Sequence, residues 1–302
     1  MTTRPRDLII LAVMPLFFVS NLIIGRPAVE TVPPFTLAAL RWGLACLILA
    51  PIAWPDIRQH AGTLIAQWKL IALLGFLGMW ICGAIVYVAL QYTTATHGTL
   101  IYTASPVMVV LLAAFLARRA LPIGQAIGVV LAIAGVFTIV LEGQPLAIFS
   151  HPFNAGDLWF VLAAVAWGVY SLLLKNSTLQ TIPTLALFFA IALAGAVLLI
   201  PCAIAEWWLI GRFPSTLRAW SSVAGIVVFS SVLSFATYQY GVKKVGPALT
   251  SIFLYLLPVY GIVLAVVFLG ETFRPYHAAG LVLVLGGIVL ATAPSLPNWR
   301  KT

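Results

Sequence analysis

The sequence predicts an all-α polytopic membrane protein of ten transmembrane helices, arranged as two inverted five-helix repeats. Three observations carry that prediction. Of 302 residues, 63% are hydrophobic and only 8% charged, where a soluble domain is about 25% charged. Stretches approaching the ~20 apolar residues that cross a bilayer core recur along the whole length, and mean hydropathy is +1.11. A proline and two glycines also come back in register when the chain is slid along itself by 152 positions.

Read from one polar break to the next, the spans fall at roughly 8–25, 34–54, 69–92, 97–117, 121–141, 157–175, 183–206, 218–241, 247–269 and 276–294. The breaks carry Pro33-Pro34, Pro55-Asp56, Arg118-Arg119, Pro183, Pro214 and Pro275. The first span follows Arg4 and Arg6, as a secretory leader's core would. It is longer than such a core and lacks a small-x-small cleavage site, so it reads as a retained helix. Connections are short apart from 55–68, 142–156 and 207–217, which leaves no room for a soluble catalytic domain. Cys46, Cys82 and Cys202 stand alone in apolar runs and read as small buried hydrophobes, with neither disulfide nor metal implied.

Charge gives the orientation. With the N-terminus inside, Arg4, Arg6, Arg58, Lys69, Arg118, Arg119, Lys175, Lys243, Lys244, Arg300 and Lys301 share the inner face. Only Arg26, Arg212, Arg218 and Arg274 face out, and Arg41 lies within a span. Acids run the other way: Asp7 and Asp56 inside, against Glu30, Glu142, Asp157, Glu206 and Glu271 outside. The bias places both termini in the cytoplasm and an even number of helices in a plasma membrane. The net charge of +9 is therefore topology, and nucleic acid is not an expected partner.

The shift of 152 pairs Pro106 with Pro258, Gly128 with Gly280 and Gly135 with Gly287. A shift of 149 in the front parts pairs Arg26 with Lys175 and Pro34 with Pro183. The halves are then 1–144 and 145–302. Because five is odd, the second half enters the membrane from the opposite side, the arrangement typical of secondary transporters. The glycines read as close-approach positions between helices. Each proline reads either as a packing kink or as a hinge or site-lining residue.

Gly270-Glu271 closing a span, His277-Ala-Ala-Gly280 opening the next and Gly286-Gly287-Ile288 within it resemble the EamA-type repeat of the drug/metabolite transporter superfamily. Arg41 in LAALRWG and Trp167-Gly168 in VAWGVY resemble the same family's second and first repeat helices. The likeness spans essentially the whole chain. It implies ten helices around a central cavity, cytoplasmic termini and metabolite export, with one branch exporting aromatic amino acids. Arg118-Arg119 and Phe18-Val19 depart from the Gly-Glu and Trp-Gly that a first repeat would often carry.

Trp54, Trp68, Trp207, Trp208, Trp220 and Trp299 sit at span ends, where interfacial belts place them. In the sixth span Trp159, Ala163, Trp167 and Tyr170 share a face, as Met14, Phe18 and Asn21 do in the first. The third span presents Trp80, Tyr87 and Gln91, and the eighth presents Ser231, Ser234, Tyr238 and Gln239. The candidate substrate-binding set is Phe18, Asn21, Trp80, Tyr87, Tyr102, Trp159, Trp167, Tyr170, Ser234, Tyr238 and Gln239. Together they describe an aromatic, uncharged, hydrogen-bonding cavity; core packing or contact with lipid is the alternative for each. Arg41, His97, Pro106, Pro258 and Glu271 are candidate gating or structural positions. Arg41 lies ~10 Å from its span's outer end, where it would snorkel or satisfy carbonyls, or else gate the path or bind a carboxylate.

A mid-membrane cluster of Lys and Arg is missing, which disfavours phosphorylated substrates. No Asp or Glu falls mid-span, so facilitated diffusion or weakly coupled export is expected, with His97 the position to take part if protons do. No GxxxxGK[ST], HExxH or GxSxG motif occurs, and neither enzyme activity nor a cofactor is expected. The expected function is export of small amphiphilic metabolites, aromatic amino acids foremost, by a monomer or weak dimer in the lipid bilayer. A broad-range exporter of lipophilic drugs or organic cations is the alternative, and a membrane-embedded lipid-modifying enzyme a distant one.

Overall fold

The computed structural model describes residues 5–116, 118, 120–144, 154–174, 176–245 and 253–292. Arg4, Arg119, His151, Lys175, Trp299, Arg300 and Lys301 lie outside the described residues, as do the side chains of Pro106, Gln239, Lys243 and Lys244. Residues 145–153, where the two halves were expected to join, lie outside them too.

Helices and turns make up the described residues, with no strand among them. In chain order they are α1 (Pro5–Ala28), α2 (Pro34–Gln59), α3 (Ala61–Ala66), α4 (Trp68–Ala89), α5 (Ala95–Thr103), α6 (Ser105–Leu116) and α7 (Ile123–Val140). There follow α8 (Ala155–Leu173), α9 (Thr184–Ile210), α10 (Leu217–Val245), α11 (Leu257–Leu269) and α12 (Pro275–Thr292). Seven of these elements, α1, α2, α4, α7, α8, α9 and α10, are long and apolar enough to cross a membrane. Large apolar side chains face outward on them, including Leu47, Leu209 and Leu217, each more than two-thirds exposed. Only a lipid solvent tolerates that surface. The protein is a multi-pass membrane protein. Trp54, Trp68, Trp207, Trp208 and Trp220 are exposed near helix ends, as the interfacial reading requires.

Local chemistry sets the helix ends. Proline opens α2 and α12, and Pro122 and Pro183 immediately precede α7 and α9, where a missing N–H is harmless. Thr94, Asn154 and Thr216 accept hydrogen bonds from first-turn amides of α5, α8 and α10. Gly211 and Gly270 end α9 and α11 in the left-handed conformation, φ 66° and 67°. The prolines that opened the question of internal duplication do the same job twice. Pro106 is the second residue of α6, which restarts after a break at Ala104. Pro258 is the second residue of α11, which follows a 3₁₀ turn at Leu254–Leu256. Neither interrupts a continuous helix; each marks where a new one begins.

A second repeated feature was not foreseen. α4 relaxes into π-helix over Phe76–Ile85, and α10 does so over Ile226–Leu233, each segment following a glycine, Gly75 or Gly225. Such wide turns are uncommon and gather at functional sites.

Two long antiparallel pairings hold the bundle: α2 along α9, and α7 along α12. The glycines flagged in the sequence form the second seam. A Cβ on Gly287 would stand 2.5 Å from the Gly128 oxygen and the Ala132 nitrogen, and one on Gly135 would stand 2.8 Å from the Gly280 oxygen. Backbones this close trade side-chain volume for dispersion contact, the packing that works where lipid removes the hydrophobic drive. Gly287→Ala should therefore force the helices apart and lower stability by about 1–3 kcal/mol. Gly286→Ala, at a position with open space around it, should leave stability unchanged; thermal unfolding of both variants in detergent checks this.

Candidate functional site

A buried charge organises the middle of the bundle. Arg41, about two turns into α2, is 6% exposed. Its Nη1 donates to Asn21 Oδ1 at 2.7 Å and to the Tyr87 hydroxyl at 3.2 Å. Nε donates to Ser231 Oγ at 2.9 Å and Nη2 to the Ser230 carbonyl at 3.2 Å. These bonds occupy four of the five guanidinium N–H donors. The Tyr87 hydroxyl donates onward to Asn21 Oδ1 at 2.7 Å, and the guanidinium carbon lies 4.3 Å from the Trp42 ring centre. The side chain does not snorkel. The expectation of an uncharged centre is corrected: one cation sits there, carried by neutral oxygens because a guanidinium cannot shed its proton.

The π turn of α10 makes part of this cradle. Ser230 and Ser231 lie within it, and the Ser230 carbonyl accepts from both Arg41 and Ser234 Oγ, the latter at 2.6 Å. Ser20 Oγ and Ser230 Oγ lie 2.9 Å apart, adding α1. A π turn disturbs the regular ladder, which lets a carbonyl serve side chains instead.

Aromatic rings pack in two groups. Trp167 and Tyr170 stack with centres 5.1 Å apart, and Tyr102 meets Trp167 at 6.3 Å. The Tyr170 ring rests on the backbone of Gly78, in the π turn of α4, where an added Cβ would stand 3.0 Å from it. The other group links Tyr238 and Phe18 (6.3 Å), Phe235 (5.7 Å from Phe18), Phe188 (4.0 Å from Phe235) and Trp42 (6.2 Å from Phe188). Trp42 Nε1 is buried and has no partner among the described residues. Tyr87, Tyr170, Ser231 and Ser234 are also buried.

Acids placed at helix ends by the sequence turn inward. Glu206, near the end of α9, accepts from the Phe35 and Thr36 amides and from Thr36 Oγ1, closing the N-terminus of α2. Glu271 accepts from the Ala95 and Thr96 amides at the N-terminus of α5. Carboxylates are favoured there by four orphan N–H groups and the helix dipole. Asp157, in the first turn of α8, is 1% exposed, accepting from Thr93 Oγ1 at 2.5 Å and lying 3.3 Å from His97 Nδ1.

The structure brings together Asn21, Arg41, Tyr87 and Ser234, with Tyr102, Trp167 and Tyr170 in one ring group and Phe18 and Tyr238 in the other. Trp80 does not join them. The π turn rotates it away from Tyr87, to pack on Phe35 and Phe76 and donate to Cys202 Sγ. Trp159, 39% exposed one turn from the start of α8, is on the outer surface rather than in the Trp167–Tyr170 stack, and Gln91 is exposed beyond α4. Periodicity missed Ser20, Ser230 and Trp42. Their signal, a glycine before each π turn and a tryptophan adjoining the buried arginine, is visible only once the turns are known.

A profile described as the EamA-like transporter family matches residues 7–141 and again 154–293. The chain is 27% identical over 275 residues to the "Uncharacterized transporter YetK" of Bacillus subtilis, covering 89% of this chain and 81% of that one. It is 28% identical over 239 residues to a "Probable terminal-alkyne amino-acid exporter" of Streptantibioticus cattleyicolor, covering 77% and 75%. A solved structure titled "Crystal structure of protein" superposes with a TM-score of 0.61 at 22% identity, covering 97% of this chain and 98% of the other, a likeness of fold.

Tyr87→Phe removes both hydroxyl bonds of the arginine cradle with little change in volume. It should lower stability by about 1–3 kcal/mol, the range for a buried polar group left short of a partner, seen as a reduced unfolding temperature in detergent.

Proposed function

The chain belongs to the EamA-like transporter family, and from that premise we propose that it exports small amphiphilic metabolites, aromatic amino acids foremost, by alternating access. The observation that carries the reading is the Arg41 guanidinium lying over the Trp42 ring, with the stack of Trp167, Tyr170 and Tyr102 resting at Gly78 on α4, the helix that gives Tyr87 to the cradle. A ring-bearing carboxylate needs those two elements: apolar faces for its side chain and a fixed cation for its acid group. The unpartnered Trp42 Nε1 beside the guanidinium supplies a donor to the same end of such a solute. The relative named as a probable terminal-alkyne amino-acid exporter supports the same substrate class.

Alternating access follows from two halves, 1–144 and 145–302, inverted relative to each other in a ten-helix bundle. The packing supports it. α1 packs on α10 and α11 as α8 packs on α4 and the α5–α6 unit, and the α2–α9 and α7–α12 pairings map onto themselves when the halves are exchanged. The matching π turns, the matching proline-initiated helices and the two matches of the family profile agree. Two packings related by this exchange have similar energies, so the halves can rock between them around a shared centre. In the membrane the basic residues hold both termini in the cytoplasm, the bilayer is the plasma membrane, and the chain works as a monomer or weak dimer.

Purified protein in liposomes, offered aromatic amino acids and organic cations in one panel, should move the amino acids. Trp167→Ala should reduce phenylalanine flux by up to roughly tenfold, since a stacked ring pair is worth ~0.5–1.5 kcal/mol and ~1.4 kcal/mol is tenfold. Movement of cations and not of amino acids would replace this reading with that of a drug exporter.

A further inference from the structure

At the end of the bundle away from the chain's start, three ionisable side chains from three helices meet out of water. His97 from α5 is 3.3 Å from Asp157 of α8, and its ring centre is 5.2 Å from that of His277 on α12. All three are buried. We propose that His97 and Asp157, with His277 beside them, form a proton-binding site that couples export to proton entry.

The arrangement has the features of a site and not only of a structural pair. A buried ion pair is a weak source of stability, because desolvation takes back most of the attraction. Ionisable groups kept within a membrane bundle therefore mark proton or ion paths by default. Histidine is the side chain whose ordinary titration falls between about pH 5 and 8. His277 Nδ1 accepts from the Arg274 amide, so a neutral ring there carries its proton on Nε2, and that atom is buried without a partner among the described residues. Thr96 Oγ1, next to His97 in sequence, is likewise unpartnered. Two polar atoms left unbonded beside an acid–imidazole pair mark a place whose hydrogen bonding is incomplete in this conformation.

The charges facing the site are few: Asp157 from α8, Glu271 and Arg274 from the turn after α11, Tyr276 and His277 from α12, and Glu142 from the turn after α7. Glu271 is bonded to the amides of Ala95 and Thr96, immediately before His97. A proton arriving from the outer water adds to a nitrogen of His97 and makes imidazolium against the Asp157 carboxylate. After the halves rock, the same proton leaves that nitrogen for water on the inner side. No bond other than N–H forms or breaks. The helices that meet here, α5, α8, α11 and α12, come from both halves, so the charge state bears on the seal between them.

The proposal rests on the export reading for its direction, so the test has one arm that needs no substrate. In lipid nanodiscs with isotope-labelled histidine, the His97 ring should take up a proton when the medium is acidified, and Asp157→Asn should weaken that uptake. In liposomes with an acidic exterior and a neutral lumen containing phenylalanine, wild type should drive the solute out against its gradient. Asp157→Asn should lose that uphill flux while keeping phenylalanine exchange at equal pH. If Asp157→Asn does not fold, His97→Gln, which keeps an amide donor toward Asp157, takes its place in the liposome assay and should likewise lose the uphill flux. A His97 ring that keeps one state throughout, uphill flux undiminished in the variant, or flux that follows sodium in place of protons overturns the site. If phenylalanine does not move at all, the substrate reading fails while the nanodisc titration still decides the proton site.

Discussion

A guanidinium held away from water, within a bundle that lipid surrounds, must find a hydrogen-bond acceptor in nearly every direction it points. That requirement shapes the centre of this protein. Arg41 draws Asn21 from α1, Tyr87 from α4 and two serines from the π turn of α10 into contact around one side chain. A charge at mid-span costs ~2.5–3.5 kcal/mol to insert, and the cradle offsets it with four donor–acceptor pairs and an indole face. Because no carboxylate bonds to the guanidinium among the described residues, the site keeps its positive field. That field distinguishes it from an ordinary apolar helix junction.

The remainder of the bundle is arranged so that this centre can be shared by elements from both ends of the chain. The α7–α12 seam brings backbones into contact at glycines, so the pairing is tight. The π turns of α4 and α10 are the opposite kind of element. They loosen the helix ladder, and each meets a side chain of another helix: Tyr170 on Gly78 in one, Arg41 at Ser230 in the other. Half-buried carboxylates at helix N-termini, Glu206 on α2 and Glu271 on α5, tie the elements together at the far end.

How much of this was legible beforehand varied with the type of interaction. Gly128, Gly135, Gly280 and Gly287 were flagged from a repeat offset and stand in the seam, because close approach depends on having no side chain, a property written in the residue itself. Asn21, Trp167 and Tyr170 were placed on helix faces by periodicity, since the stretches carrying them stay regular enough to keep a face. Trp80 stands apart from Tyr87, with ten residues of π-helix running through the stretch between them. Asp157 was read as an end-of-helix acid. It is one, but whether such an acid faces solvent or a histidine on another helix is decided by the crossing of the helices.

Composition and spacing by themselves determined that the chain lies in a membrane, that prolines stand at the starts of several of its helices, and that a pattern of proline and glycine recurs along it. Those properties follow from the solvation of single side chains and from backbone geometry, both of which act within a few residues. Tertiary structure alone decided that the Arg41 guanidinium is cradled by neutral oxygens, that the rings pack in two groups, and that His97 meets Asp157. Each joins residues tens to hundreds of positions apart, and such meetings depend on helix crossings and on π turns that no local pattern announces.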